Sequence, residues 1–549
     1  MKLAKKDLTF KLIVYVSILN SLIVTPFWNK DGMIIPKLII MFSFSMYLLP
    51  IIIANRQSIL NSKILKITVA SQCLLMVHSL LVLIQSSAPL EQQIFGRSGR
   101  GLGLITIYSL AVVFVATAVL MQPSFENKII YGIIFSALLS SSYSLLQSYG
   151  IDLLKWDSKT NGVIGTLGNP NFQSAFASMA LVPSLLYFWN NKKQRFLAVV
   201  LFMFFTFTIF RTQSTQGILA GFFSTFLAFA IFYWYKNKFV FWSMLISGST
   251  AAIFALVGML NMGPLSSYLY KVSIQSRGDF WRSALNTANS HPIFGVGLDS
   301  FGDYFLKYRD ITAANHSFAE YTDNAHNFFL EQAATGGYLF AFINLFIVIL
   351  VLFAFIKIQI SSRKFNPTLV SLFAPWVAFQ MTAVISPGNL VNMYWNAVIS
   401  GAVIGLYKFV NPSQVSTNIA KENNLKGNSL TSVILLIVGF IFMLPIFNTD
   451  RMQLSAMKKG DANLVMKATY SYPESTIRYS LIGRELLDSG LTQQSLELSR
   501  SGVKFNPNSA GLWALILVNP SATNEERLIA KEKILELDPL NTEVQNFNP

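Results

Sequence analysis

Cysteine, histidine and charge are all scarce in this chain. A single cysteine, Cys73, stands in 549 residues, which excludes a disulfide framework and a cysteine-ligated metal site. There are four histidines, and Asp, Glu, Lys and Arg together make up 12%, too little charge to clothe a soluble protein of this size. FGRSGRGLG, residues 95–103, has glycines and arginines but not the GxxxxGK[ST] spacing of a phosphate loop, so a nucleotide site there is not expected. No histidine or carboxylate cluster has metal-ligand spacing on one helix face, and a metal-independent site without cofactors is expected.

What the chain has instead is apolar length. Hydrophobic residues reach 53% and phenylalanine alone counts 46, and runs of about 20 apolar residues, enough to cross a hydrocarbon core, recur along most of the sequence. They begin near Phe10, Met33, Ile64, Leu102, Ile129 and Phe172, then Phe196, Thr215, Phe239, Asn327, Thr368, Tyr394 and Leu430. About thirteen spans are expected, in an all-α polytopic membrane protein that sits in a lipid bilayer. The first run, near Phe10, is followed by further spans and no small-residue cleavage site, so it reads as a retained span.

The net charge of +16 could point to nucleic acid, but its placement does not. Lys and Arg gather in alternate loops, at Lys2, Lys5 and Lys6, Arg56 and Lys63, Lys128, Lys192 to Arg195, Lys236 and Lys238, Lys357 to Lys364, and Lys421 and Lys426. That alternation is a topology signal: it predicts a cytoplasmic amino terminus, with residues 261–323 and everything after Phe447 on the outer side. No nucleic-acid partner is expected.

Two domains are expected: a membrane part, residues 1–447, with a large outer loop at 261–326, and an extracytoplasmic helical part, residues 448–549. In the second part prolines 473, 507 and 539 recur at spacings of 34 and 32 residues, close to the roughly 34-residue period of the tetratricopeptide repeat. Such repeats usually bind other proteins.

Chemistry concentrates at the end of the outer loop, in YTDNAHNFFLEQAATGGY, residues 321–338. Asp323 or Asn324 can cap the helix that follows, which would put His326 in its first turn, where the positive helix end disfavours imidazolium and keeps a lone pair available. The bland alternative is a histidine that only bonds locally. Arg277 and Arg282, Arg211 at the end of an apolar run, and Arg97 and Arg100 are candidate grips for a diphosphate, which guanidinium binds bidentately. Each could instead snorkel or pair with a carboxylate. GTLGNPNFQSA at 165–175 and GVGLDSFG at 295–302 read as turns.

These residues resemble the O-antigen ligase and polymerase superfamily of bacterial polytopic glycosyltransferases. His326, Asn327 and Gly337 fit its His-[Asn/Ser/Gln]-x9-Gly signature; Arg277, Trp281, PIFGVGLDSF and GTLGNPN also look like it. At Arg211 the match is positional only, since the motif there reads Phe-Arg-Thr-Gln-Ser. The resemblance implies a C-type glycosyltransferase-like bundle in the bacterial plasma membrane. It would take a polyprenyl-diphosphate-linked glycan as donor and a glycan, lipid or protein as acceptor. By resemblance His326, Arg277 and Arg211 would be catalytic, with Arg282, Arg97, Arg100, Asn327 and His316 as substrate-binding candidates. A ligase, a polysaccharide polymerase and a protein O-oligosaccharyltransferase all fit, and a non-enzymatic lipid-linked glycan flippase or transporter is the alternative of a different class. The carboxy-terminal repeats would suit a protein partner.

Overall fold

The structure is a computed structural model. It describes all residues except 1, 155, 157–162, 190, 318–319, 411–427 and 549, so Lys421 and Lys426 lie outside the described residues. Every regular element among them is helical.

Among the described residues ten helices are long and apolar enough to cross a membrane: Ile35–Ala54, Lys63–Gln85, Glu126–Ser148, Pro170–Trp189, Lys192–Arg211, Thr215–Lys236, Lys238–Met259, Phe328–Ser361, Leu390–Tyr407 and Leu430–Lys459. Three more helices, Lys2–Leu22, Leu104–Leu120 and Pro367–Ala383, pack into the same apolar core. This is a multi-pass membrane architecture. Leu390–Tyr407 runs through its centre, with Tyr394 and Trp395 fully buried.

Small and hydroxylated residues let these helices approach. Gly401 meets the Phe114 carbonyl of the Leu104–Leu120 helix with no room for a Cβ, and the Trp395 indole donates to Ser21 Oγ at 2.9 Å. Such contacts do in lipid what apolar burial does in water. Lys238–Met259 is peripheral: only Gly258 is buried in it, so its Phe and Ile side chains are left for lipid.

Among its described residues the outer loop forms four helices, Ser266–Leu269, Val272–Ser290, Phe301–Tyr308 and Ile311–His316. Phe280, Ala284, Phe301, Phe305, Ala325 and Ala334 form a small core beneath them.

The Phe328–Ser361 helix is not continuous. At Gly337 the backbone turns to φ 80° and ψ 171°, which interrupts the helical hydrogen bonds and frees groups that lipid cannot satisfy. Residues 292–297 of the outer loop thread into the gap. Val296 N–H donates to Ala334 O and Gly297 N–H to Thr335 O, both at 3.0 Å, while Tyr338 N–H donates to Pro292 O at 2.8 Å. From another helix His78 Nε2 meets Gly336 O at 2.7 Å. A Cβ on Gly337 would lie 2.2 Å from Ile293 O.

Beyond the bundle the Asn428–Lys459 helix continues without interruption through residue 447. The helices after it, from Ala462–Thr469 to Thr542–Asn546, have a core of their own around Tyr479, Leu496, Leu498, Leu512 and Ile534. Pro473, Pro507 and Pro539 each stand three positions ahead of a helix, those beginning at Thr476, Ala510 and Thr542. These helices rest on the outer loop. Arg309 donates to both oxygens of Asp538 at 2.9 and 3.0 Å, and Asn506 Nδ2 donates to Asp303 at 3.0 Å.

Gly337→Ala is expected to lower the thermal unfolding midpoint in detergent by several degrees, since the positive φ alone costs on the order of 1–3 kcal/mol in a residue with a Cβ. Gly511→Ala, where a Cβ meets nothing within 4 Å, serves as the control and should leave the midpoint unchanged or slightly raised. An unchanged midpoint in the Gly337 variant would contradict the threaded break.

Candidate functional site

His326 lines a cavity of about 690 Å³ together with Arg100, Asp323, Asn324, Asn171, Gln216 and Asn389. The loop at 97–101, the GNPN turn, the start of the Thr215–Lys236 helix and the SPGN turn at 386–389 supply its walls.

The helix behind His326 is capped by Asn327, whose Oδ1 accepts from Phe329 N at 3.0 Å and Leu330 N at 3.1 Å. This corrects the expected cap at Asp323 or Asn324. Asn324 Oδ1 accepts instead from the His326 N–H at 2.9 Å, and His326 sits just ahead of the helix with φ 48° rather than in its first turn. The left-handed backbone turns its ring onto Phe280, centroid to centroid 5.4 Å. Nδ1 is buried with no hydrogen-bond partner among the described residues.

The imidazole is neutral for reasons other than a helix end. Burial comes first and the positive charge of Arg277 second; together they bring its pKa down to about 4, against a smaller opposing pull from Asp323. Arg277 itself donates to Ser273 O at 3.1 Å. Its Nε is buried without a partner, and no carboxylate pairs with it among the described residues.

Arg97 and Arg100 are closely held. Arg97 donates to Asp303 Oδ1 at 3.0 Å and to the Tyr321 hydroxyl at 2.6 Å. Arg100 donates to Asp323 O at 2.6 Å, pairs with Glu331, and has Asp299 3.4 Å from its Nε. Burial pushes the Asp299 carboxyl up against the pull of Arg100. Burial also works on Asp323, but Arg100 and Arg97 win and hold it below the usual carboxylate range.

The other arginines are elsewhere. Arg211 is exposed, donates to Ser148 O at 2.8 Å and lies over the Tyr149 ring. Arg282 is tied to Asp310 at 2.6 Å and to Asp279 at 2.5 Å. His316 Nδ1 is 2.9 Å from Asp279. Neither of these last two lines the cavity, and Asn327 is engaged in its cap.

Sequence reasoning passed over Asp299, Asp303, Glu331 and Tyr321. The signal for Glu331 was available: a carboxylate one turn into an apolar helix needs a partner. Asp299 lay in a glycine-rich stretch that reads as a plain turn. No group of three or more His, Cys, Asp or Glu positioned to hold a metal ion occurs among the described residues.

Residues 198–345 match the family model described as O-Antigen ligase. This match supports the O-antigen ligase superfamily. The matched stretch contains Arg211, Arg277, His326 and Gly337, and so includes the threaded helix break and part of the cavity wall, while Arg100, Asn171 and Asn389 lie outside it. No curated protein matches the chain.

Folding lowers the His326 pKa from 6.5 to about 4, so between those values the folded chain binds fewer protons than the unfolded one. Its stability should therefore fall as pH drops through that window. The direct measurement is an NMR titration of the histidine ring signals in detergent, identified with a His326→Gln variant. A flat response down to about pH 5 is expected, and a midpoint near 6.5 would remove burial and Arg277 as determinants.

Proposed function

We propose that the chain is an O-antigen ligase-like glycosyltransferase of the bacterial plasma membrane. It moves a glycan from a polyprenyl-diphosphate carrier to an acceptor hydroxyl on the outer face, without metal. The observation that carries this reading is the half-buried, neutral His326, whose Nδ1 is buried without a partner among the described residues at a cavity wall, beside an arginine that no carboxylate neutralises among them.

In this mechanism His326 accepts the proton of the acceptor hydroxyl as its oxygen attacks the anomeric carbon. The bond from that carbon to the diphosphate oxygen breaks, and the electron pair leaves with the diphosphate. Arg277 faces the charge that develops there, with Arg211 nearer the membrane boundary. A base with a pKa of about 4 is a weak one. A bound diphosphate would offset the Arg277 charge and raise it, so donor binding would prepare the base for the acceptor.

Arg97 and Arg100 hold the loop that shapes the cavity, because their charge is already spent on carboxylates. Arg282 and His316 brace the outer loop, and Asn327 sets the helix start. Residues 1–447 form the catalytic part, and residues 448–549 form a tetratricopeptide-like part on the same outer side. The contacts of Arg309 with Asp538 and of Asn506 with Asp303 support that shared side. The carboxy-terminal helices would present or steady a bulky or protein-borne acceptor.

His326→Ala should lower glycan transfer by about 10²–10⁴-fold while membrane insertion persists, and His326→Asn should not restore it. Transfer is read as labelled glycan joined to supplied acceptors by the purified chain. Full activity in the Asn variant would remove His326 from the chemistry. Arg277→Lys should lose about ten- to a hundredfold, since an ammonium lacks the planar fork; turnover near wild type would make Arg277 structural. Geranyl diphosphate, a soluble mimic of the donor's leaving group, should raise the His326 titration midpoint by at least a unit. No shift would separate Arg277 from diphosphate binding.

A further inference from the structure

Ile34 and Gly99 line the 690 Å³ cavity of His326, and both also line a second cavity of about 660 Å³, walled in part by Asp31, Asp450 and Arg478. The 97–101 loop therefore has space on two sides. Packing does not fix its tip, since a Cβ at Gly99 would meet nothing within 4 Å. Glycines 96, 99 and 101 hold φ of 86°, 83° and 66°, conformations that glycine enters as readily as others and so does not enforce.

Beyond the ion pairs of Arg97 and Arg100, two carboxylates hold the backbone of this loop. Asp299 Oδ2 accepts from the Arg97 N–H at 2.7 Å and the Leu102 N–H at 3.1 Å, at the loop's two ends. Asp31 Oδ2 accepts from the Gly99 N–H at 3.1 Å, at its tip. The other Asp31 oxygen accepts from the Ile34 N–H at 3.0 Å, a local turn of the kind aspartate favours.

Asp31 is itself held from the carboxy-terminal side. Its N–H donates to Asp450 Oδ2 at 3.0 Å. Two residues earlier Asn29, only 1% exposed, donates from Nδ2 to Phe447 O at 3.3 Å. Phe447 and Asp450 belong to the Asn428–Lys459 helix that leads into the carboxy-terminal helices, and Thr449 between them donates to Tyr472 O at 2.5 Å. A continuous series of bonds thus runs from the carboxy-terminal segment through Asp450 and Asp31 to Gly99 in the cavity wall.

We infer that Asp31 is a positioning residue that sets the wall of the His326 cavity at Gly99, and that Asp450 couples this wall to the carboxy-terminal helices. Asp31 does not itself line that cavity; it acts through Gly99 and the adjacent Arg100. Docked helices hold the wall in place, and displacing them releases it. The loop's dependence on Asp31 is independent of the transferase reading, whereas its effect on substrate rests on that reading.

Hydrogen exchange read by mass spectrometry, on the full chain in detergent, follows the loop directly. Loss of one hydrogen bond should speed exchange in residues 96–102 by about three- to tenfold in Asp31→Ala and in Asp450→Ala, with Gly511→Ala unchanged. Asp450→Asn keeps an oxygen for the Asp31 N–H and should exchange like the wild type, while Asp31→Asn keeps one acceptor of two and should fall between. Should Asp31→Ala not fold, the isosteric Asp31→Asn and the two Asp450 variants carry the comparison. In glycan transfer Asp31→Ala and Asp450→Ala should raise KM for donor or acceptor by about three- to tenfold with kcat within about twofold, because the wall is disturbed and His326 is not; Asp450→Asn should keep the wild-type KM. Wild-type exchange in the Asp31 variants would overturn the positioning role, and wild-type exchange in Asp450→Ala would overturn the coupling to the carboxy-terminal helices. Faster exchange with KM unchanged would overturn the effect on substrate. Faster exchange in these variants of a chain whose wild type transfers no glycan would support the coupling and overturn the transferase.

Discussion

A broken helix inside a membrane protein has to find hydrogen-bond partners for its exposed peptide groups, because hydrocarbon offers none. The break at Gly337 is that constraint here. The freed groups at Ala334, Thr335, Gly336 and Tyr338 are met by residues 292–297 and by His78. The outer loop is therefore anchored in the bundle by backbone bonds rather than laid over it. Everything the loop carries is placed from that anchor: Asp299 two residues beyond the threaded segment, and Phe280 under the His326 ring. The same constraint explains why a glycine is needed at 337, where a side chain would collide with the Ile293 carbonyl.

A second layer of order is ionic. Arg97 and Arg100 enter a buried neighbourhood of Asp299, Asp303, Asp323 and Glu331, and breaking one buried partner from such a set is more costly than the set is stabilising. The arginine-bearing loop at 97–101 is thus tied to the outer loop and to the start of the His326 helix at once. Because those two cations are matched by carboxylates, the positive charge that reaches His326 most strongly is that of Arg277. Arginines that look equivalent in the sequence divide into structural and available ones by their partners.

The carboxy-terminal helices join this arrangement from outside. Asn506 bonds to the same Asp303 that holds Arg97, and Arg97 in turn holds Tyr321 at the head of the His326 segment. Two or three helical hairpins are marginal alone, and leaning on the outer loop offsets that weakness.

By itself the sequence determined the class of the protein. Long apolar runs and scarce charge dictate an all-helical membrane bundle, since a chain in lipid must satisfy its backbone within helices. Proline spacing after Asp450 marks helix starts, and His326, Asn327 and Gly337 are visible as a motif. Only the tertiary structure decided what those residues do. Asn327 took the cap and left His326 in a left-handed turn; the glycine ten positions on from Asn327 became the gap that receives the loop. Asn171, Gln216, Asp323 and Asn389 come from distant parts of the chain and share no local pattern, and only folding brings them to the walls of one cavity. Periodicity is local and survives in one dimension, whereas burial, partnering and the charge felt by an imidazole depend on neighbours far away in the chain.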